Sequence, residues 1–168
     1  YGATLVGVNM DTDGIMCEDL ECKIKKYNPK MLYTIPTFQN PSGKTLPSHR
    51  RKKIADLADK YDLLVVEDDP YCDLRYTGDV VPPIKSFDET GNIILANSFS
   101  KILAPGLRVG TITATKEIIT ALVLAKGGAD TNTTIMSQAI CAEFLNQGLL
   151  PDHLKEMVPV YLERLNAM

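Results

Sequence analysis

The sequence predicts an α/β domain of three layers, with helices on both faces of a mostly parallel β-sheet. Apolar runs of strand length alternate with segments whose apolar residues repeat at helical spacing. Residues 63–66 are apolar at every position, which is typical of a strand buried on both faces of a parallel sheet. The 168 residues, 45% of them hydrophobic and 23% charged, can bury the core that such a domain needs.

The first half of the chain shows three predicted strands and two predicted helices. The strands are 4–8, 31–35 and 62–67. The first helix, 17–26, has acidic residues near its start and lysines near its end, as the helix dipole favours. The second opens at Pro47 and Ser48 and runs to Lys60, with apolar residues on one face. The connections 11–14 and 36–43 are rich in Asp, Asn, Gly and Pro, which is typical of turns and loops.

The second half continues the alternation and then becomes helical. Further strands are predicted at 93–96 and 108–114, and helices at 117–126, 135–146 and 152–168. Pro159 lies inside the last helix, where we expect it to cause a kink.

Composition excludes several classes of function. The net charge of -3 argues against a nucleic-acid binder, and no apolar run is long enough to cross a bilayer. The four cysteines form no CxxC pair and only two histidines are present, so neither a metal site nor a disulfide framework is predicted. The cysteines are expected to remain reduced thiols, and no signal peptide is visible, so we expect a cytoplasmic protein. The sequence begins without Met and stops inside a helical pattern, so we expect a piece of a longer protein.

Polar residues follow three of the predicted strands. In open α/β sheets, ligands bind beyond the carboxyl ends of the strands, so these loops are the candidate site. One loop supplies an amide, one supplies acids and a phenol, and one supplies hydroxyls and an amine, with an arginine further on. The residues are Asn40, Asp68, Asp69, Tyr71, Ser98, Ser100, Lys101 and Arg108.

These loops together resemble a known family. The ordered motifs are Asn40-Pro41-Ser42-Gly43, Asp68-Asp69-Pro70-Tyr71, Ser98-Phe99-Ser100-Lys101 and Pro105-Gly106-Leu107-Arg108-Val109-Gly110. The set is similar to that of the fold-type I, class I/II aminotransferases, especially their 2-aminoadipate/kynurenine branch. The resemblance implies pyridoxal 5'-phosphate (PLP) as cofactor and the PLP-dependent transferase fold. It also implies that residues 1–168 are part of the large domain, without the N-terminal segment and the small C-terminal domain.

The resemblance assigns a role to each candidate residue. Lys101 would form the Schiff base with PLP and then shuttle a proton, a task for a buried amine that can become neutral. Asp68 would face the pyridine nitrogen and keep the ring protonated. The next residue, Asp69, is the alternative candidate for this role, but the spacing to Tyr71 selects Asp68.

The remaining candidates would hold the other polar groups of the cofactor. Tyr71 and Asn40 would hydrogen-bond the phenolic oxygen. Ser98, Ser100 and Arg108 would bind the phosphate, since arginine offers a planar fork to phosphate oxygens. Ser98 could instead cap its loop.

Several neighbouring residues are given structural roles. Glu67 and Asp69 are expected to be structural, and the basic run that begins at Ser48-His49 is expected to form a solvated face of its helix.

The leading hypothesis is amino transfer between an amino acid and a 2-oxo acid in a homodimer. Three alternatives remain open from sequence. The first is a PLP lyase or decarboxylase on the same fold. The second is a PLP-binding effector domain of a transcription regulator, and the third is a remnant without cofactor.

Overall fold

A computed structural model describes residues 2–168, and they fall into two compact units. The first comprises the chain up to Asp69 together with Val81–Leu95, and the second comprises Pro70–Val80 and Ala96–Met168. Among the described residues, no helix is both long and apolar enough to cross a membrane.

The first unit contains the sheet's first strands and two helices. Its elements are β1 (Met10–Asp11), β2 (Gly14–Ile15), α1 (Cys17–Tyr27), β3 (Met31–Thr34), α2 (Ser48–Tyr61), β4 (Leu64–Asp68) and the first half of β5 (Ile93–Ser98). Strands β1 and β2 pair antiparallel, whereas β3 and β4 pair parallel with Tyr33 opposite Val66. The next strand beside β4 is β5. Both helices end at a residue in the left-handed conformation, Asn28 after α1 and Asp62 after α2.

The core of the first unit lies between the helices and one face of the strands. It is formed by Leu20 and Ile24 of α1, Ile54 and Leu57 of α2, and Val65 of β4, together with other buried apolar side chains. Along β4, buried residues alternate with half-buried ones. The second face of β4 is thus half-buried, whereas the sequence predicted a strand buried on both faces, because only one face packs on this core.

Two further predictions in the first unit need correction. Residues 4–8 form no strand, and Leu5 is 93% exposed, because an apolar run becomes a strand only where a neighbouring strand satisfies its backbone. The basic run at the start of α2 is not a uniformly solvated face. His49 is exposed, but the side chain of Arg51 is completely buried.

The second unit is mainly helical. It contains the second half of β5, β6 (Gly110–Thr113), α3 (Lys116–Ala129), α4 (Ile135–Asn146) and α5 (Leu150–Asn166). A small core gathers Phe99, Ile102, Val109 and Cys141, with Leu154 packed against it. Strand β6 lies beside β5, and a side chain at Gly110 would meet the carbonyl oxygen of Asn97 at 2.7 Å. The helices begin within two residues of the predicted positions, and Pro159 lies within α5.

Candidate active site

The loop between β3 and α2 carries Asn40 and is held by its own hydrogen bonds. The Gln39 amide donates to the Lys44 carbonyl at 2.8 Å, and the Phe38 amide donates to the Thr45 hydroxyl at 3.1 Å. Phe38 has φ 48°, a backbone conformation that costs energy for a bulky residue. These bonds present Asn40 on the surface of the first unit, where it is exposed.

A buried guanidinium, which sequence reasoning missed, closes the base of this loop. Arg51 donates to the carbonyls of Leu46 at 2.9 Å and Pro36 at 3.1 Å, which lie at the two ends of the loop. It also donates to the Thr37 hydroxyl at 3.0 Å, and that hydroxyl donates to Asp69 at 3.2 Å. Arg51 therefore links the Asn40 loop to the residue that follows β4.

The acids on either side of Asp68 are structural, as predicted. Glu67 is fully buried and accepts from the backbone amides of Ile84 at 2.7 Å and Lys85 at 2.8 Å. Burial raises the pKa of Glu67 above its ordinary value, while the two amides and the nearby Arg51 act in the opposite direction. Asp69 is 3% exposed and takes part in the network of Thr37.

Asp68 differs from both neighbours because it lies on the opposite face of β4. It is half-buried, and its Oδ2 accepts from the phenol of Tyr33 at 2.6 Å. Sequence reasoning missed Tyr33, because its contact with Asp68 depends on the pairing register of β3 with β4. A carboxylate in this position can accept a hydrogen bond from a protonated ring nitrogen.

In the second unit, the turn after β5 gathers three of the predicted residues. The Arg108 Nη1 lies 3.3 Å from the Ser100 hydroxyl, which accepts from it. The Ser98 hydroxyl accepts from the Ser100 amide at 3.2 Å, so Ser98 caps this loop as the alternative foresaw, and its own O–H remains a donor. Arg108 has φ 53° and ψ 42°, so the backbone holds a non-glycine residue in the left-handed conformation. One cation and two hydroxyls in a single turn are suited to an anion such as a phosphate.

Lys101 and Tyr71 also belong to the second unit. Lys101 directly follows Ser100 in the turn and is exposed, so the expectation of a buried amine is wrong for the described residues. The reason is that Phe99 and Ile102 are the residues of this turn that pack into the small core of the second unit, which leaves the Lys101 side chain on the outside. Tyr71 is half-buried and precedes a short 3₁₀ turn, where its carbonyl accepts from the Leu74 amide at 3.0 Å.

The donor sets match the chemistry of PLP group by group. The anion-binding turn matches a phosphate, the adjacent primary amine of Lys101 matches an aldehyde, and the carboxylate of Asp68 matches a pyridine nitrogen. The residues present therefore fit the cofactor in their chemistry.

Comparison with known proteins gives a consistent result. The family model for aminotransferase class I and II matches residues 1–168. Aromatic-amino-acid aminotransferase 1 of Thermococcus litoralis is 41% identical over the whole chain, which covers 42% of that protein. An uncharacterised HTH-type transcriptional regulator of Bacillus subtilis is 37% identical over 99% of the chain, which covers 34% of that protein.

A solved structure shares the fold. The Pyrococcus horikoshii kynurenine aminotransferase, crystallised with PMP, superposes with a TM-score of 0.93 at 39% identity over 96% of the chain and 41% of its own. This agreement confirms the predicted α/β, PLP-dependent transferase-like fold. The chain spans about two fifths of the length of the two aminotransferases. It belongs to the aminotransferase class I and II family.

Proposed function

We propose that the chain is part of the large domain of a PLP-dependent aminotransferase, which exchanges an amino group between an amino acid and a 2-oxo acid. The observation that carries the proposal is the segment after β5, where the Arg108 guanidinium lies 3.3 Å from the Ser100 hydroxyl and Lys101 is the next residue along the chain. Aminotransferase relatives at 41% and 39% identity support it.

Each residue has a defined task in this proposal. When bound, PLP supplies an electron sink for the bond electrons of the substrate α-carbon. Lys101 would hold the cofactor through its amine, and once the substrate amine had displaced it, the freed amine would move a proton at the substrate α-carbon. Asp68 holds a proton on the ring nitrogen.

The other residues bind and orient. Ser98, Ser100 and Arg108 anchor the phosphate, while Asn40 and Tyr71 donate to the phenolic oxygen. The Arg108 guanidinium donates to the Ser100 hydroxyl at 3.3 Å and to the Pro105 carbonyl at 3.5 Å, and these contacts orient it before the cofactor arrives.

Borohydride trapping tests the cofactor assignment. The full-length protein is incubated with PLP, reduced, digested and mapped by mass spectrometry, and the pyridoxyl adduct is expected on Lys101. Lys101→Ala should lose the adduct and the visible absorption band, whereas Lys116→Ala, an exposed lysine at the start of α3, should retain both. An adduct on another lysine in the unsubstituted protein contradicts the assignment.

A second assay separates amino transfer from other PLP chemistry. The full-length protein is supplied with aromatic amino acids, kynurenine or 2-aminoadipate, and 2-oxoglutarate as acceptor. Amine exchange that requires the oxo acid supports the proposal. Release of ammonia or carbon dioxide without an acceptor would identify a lyase or decarboxylase instead.

One relative favours a second candidate function. The chain is 37% identical to an HTH-type transcriptional regulator over nearly its whole length, so a PLP-binding effector domain is the runner-up. Binding of the full-length protein to promoter DNA, altered by PLP and without amine exchange, would support that function.

Assembly and compartment complete the proposal. We infer a cytoplasmic homodimer, supported by four free cysteines and by exposed apolar side chains such as Leu124 of α3 and Ile135 of α4 (74% and 72% exposed). Light scattering of the full-length protein should give twice the chain mass, and fractionation should find it in the cytosol. A monomeric mass contradicts the first inference, and a membrane or secreted fraction contradicts the second.

A further inference from the structure

The phenol of Tyr33 contacts the one acid that is proposed to face the cofactor. In β3, Tyr33 is 58% exposed, whereas its neighbours Leu32 and Thr34 are buried, so its side chain leaves the sheet on the face away from the core. The parallel register places Tyr33 opposite Val66, and Asp68 lies two residues further along β4 on the same face. The long tyrosine side chain spans this diagonal, and its hydroxyl donates to Asp68 Oδ2 at 2.6 Å.

This hydrogen bond has the geometry of a strong one. A distance of 2.6 Å lies in the range for an O–H donor and a charged carboxylate. A carboxylate accepts at both oxygens, so a donor fixed on Oδ2 sets the plane of the group and directs Oδ1. The rigid phenol also removes rotamers that a strand-end aspartate would otherwise sample.

We propose that Tyr33 is a positioning residue, whose hydroxyl orients the Asp68 carboxylate towards the pyridine nitrogen of the cofactor. This inference rests on the proposed function. Tyr33 lies outside the motifs through which the chain resembles its family. Its role comes from the register of β3 with β4 and the contact with Asp68.

The same unit offers a matched control far from these residues. The phenol of Tyr61 donates to Glu21 at the same distance, 2.6 Å, in a part-buried hydrogen bond between α2 and α1. Tyr61→Phe and Tyr33→Phe each remove one phenol–carboxylate hydrogen bond. Only the second of these bonds involves an acid proposed to contact PLP.

The experiment measures PLP affinity in the full-length protein by equilibrium titration of the visible absorption band. Tyr33→Phe is expected to raise the Kd for PLP roughly tenfold, because an Asp68 carboxylate without its orienting donor would make a weaker charge-assisted hydrogen bond to the ring nitrogen. The pH midpoint of that band should also shift, because the carboxylate that would hold the ring proton loses the donor that orients it. Tyr61→Phe should leave the Kd within about twofold and the midpoint unchanged.

A double-mutant cycle tests whether the effect passes through Asp68. In an Asp68→Asn background, Tyr33→Phe should change the Kd by less than about twofold. Urea unfolding of each variant without PLP shows whether a loss of affinity follows a loss of folding. The inference is overturned if Tyr33→Phe binds PLP like the unsubstituted protein, or if its effect persists in full in the Asp68→Asn background. Failure to trap a Lys101 adduct in the unsubstituted protein would instead overturn the proposed function, and this inference with it.

Discussion

Replacement of Arg51 by methionine should destabilise the first unit severely. The side chain is completely buried, and its guanidinium donates to three carbonyl oxygens and to the Thr37 hydroxyl. Methionine keeps the apolar stem but none of the donors, and it removes the cation beside the buried acids Glu67 and Asp69. Removing one member of a buried charged network typically costs about 3–5 kcal/mol.

That loss is large relative to the stability of a domain. Native domains are stable by roughly 5–15 kcal/mol, so Arg51→Met should remove a fifth or more of the total. At about 2–4 °C per kcal/mol for a chain of this size, the melting temperature should fall by roughly 6–20 °C. Arg51→Lys should be intermediate, since an ammonium restores the charge without the planar fork.

Urea unfolding at neutral pH, followed by circular dichroism, measures the effect. Lys52→Met is the matched control, because Lys52 is the next residue of α2, its side chain is 63% exposed, and its ion pair with Asp56 is a surface pair. The control should lose about 0.5 kcal/mol or less. A free energy of unfolding for Arg51→Met within about 1 kcal/mol of that of the unsubstituted chain would show that the buried network does not stabilise the loop.

Three further predictions concern single groups. Since burial raises the pKa of Glu67 above its ordinary 4.5, its contribution to stability is complete below that pH and is lost as the pH rises through the raised value. Urea midpoints of Glu67→Gln should lack this pH dependence, and an unchanged profile would contradict the assignment. The Arg50 guanidinium lowers the pKa of Asp11 to about 2, so the stabilising charge is present above the ordinary 3.8 and is lost as the pH falls through 2. Carboxyl NMR of Arg50→Gln should show Asp11 titrating closer to its ordinary value, although the Asp13 amide still donates to it, and a titration still near 2 would show another cause. Gly110→Ala should cost about 1–3 kcal/mol in urea unfolding, because its Cβ would stand 2.7 Å from a carbonyl oxygen of β5, whereas Gly106→Ala, with nothing within 4 Å, should be neutral.

Local pattern predicted most of the secondary structure but not the burial of the charged residues. The helix α2 begins where Pro47 and Ser48 indicated. Arg51 was nevertheless grouped with its basic neighbours, although it precedes the apolar Ile54 and Ala55 by three and four positions and so shares their face. The position of a charged residue relative to the apolar face of its helix can therefore indicate that it is buried, even when it lies in a run of like charges.

The candidate site was predictable where its residues lie in loops with distinctive composition. Ser100 and Arg108 could be placed together because they stand in one short segment, and the structure brings them within hydrogen-bond distance. Tyr33 could not be found in this way. Its contact with Asp68 joins residues 35 positions apart, and only the pairing register of two parallel strands determines it.

The three consecutive acids at the end of β4 differ in their surroundings: two are buried in the core and one lies on the opposite face of the strand. Strand alternation places Glu67 and Asp69 on the core side and Asp68 on the other. The two buried acids have donors that fix them, namely backbone amides for Glu67 and the Thr37 hydroxyl for Asp69. Because those hydrogen bonds hold the backbone on both sides of residue 68, its carboxylate is carried on a rigid support and needs only one further donor to set its plane. The choice of Asp68 over Asp69 as the acid that faces the cofactor is thus supported by burial as well as by spacing, since a carboxylate already enclosed in a core network cannot also meet an incoming ligand.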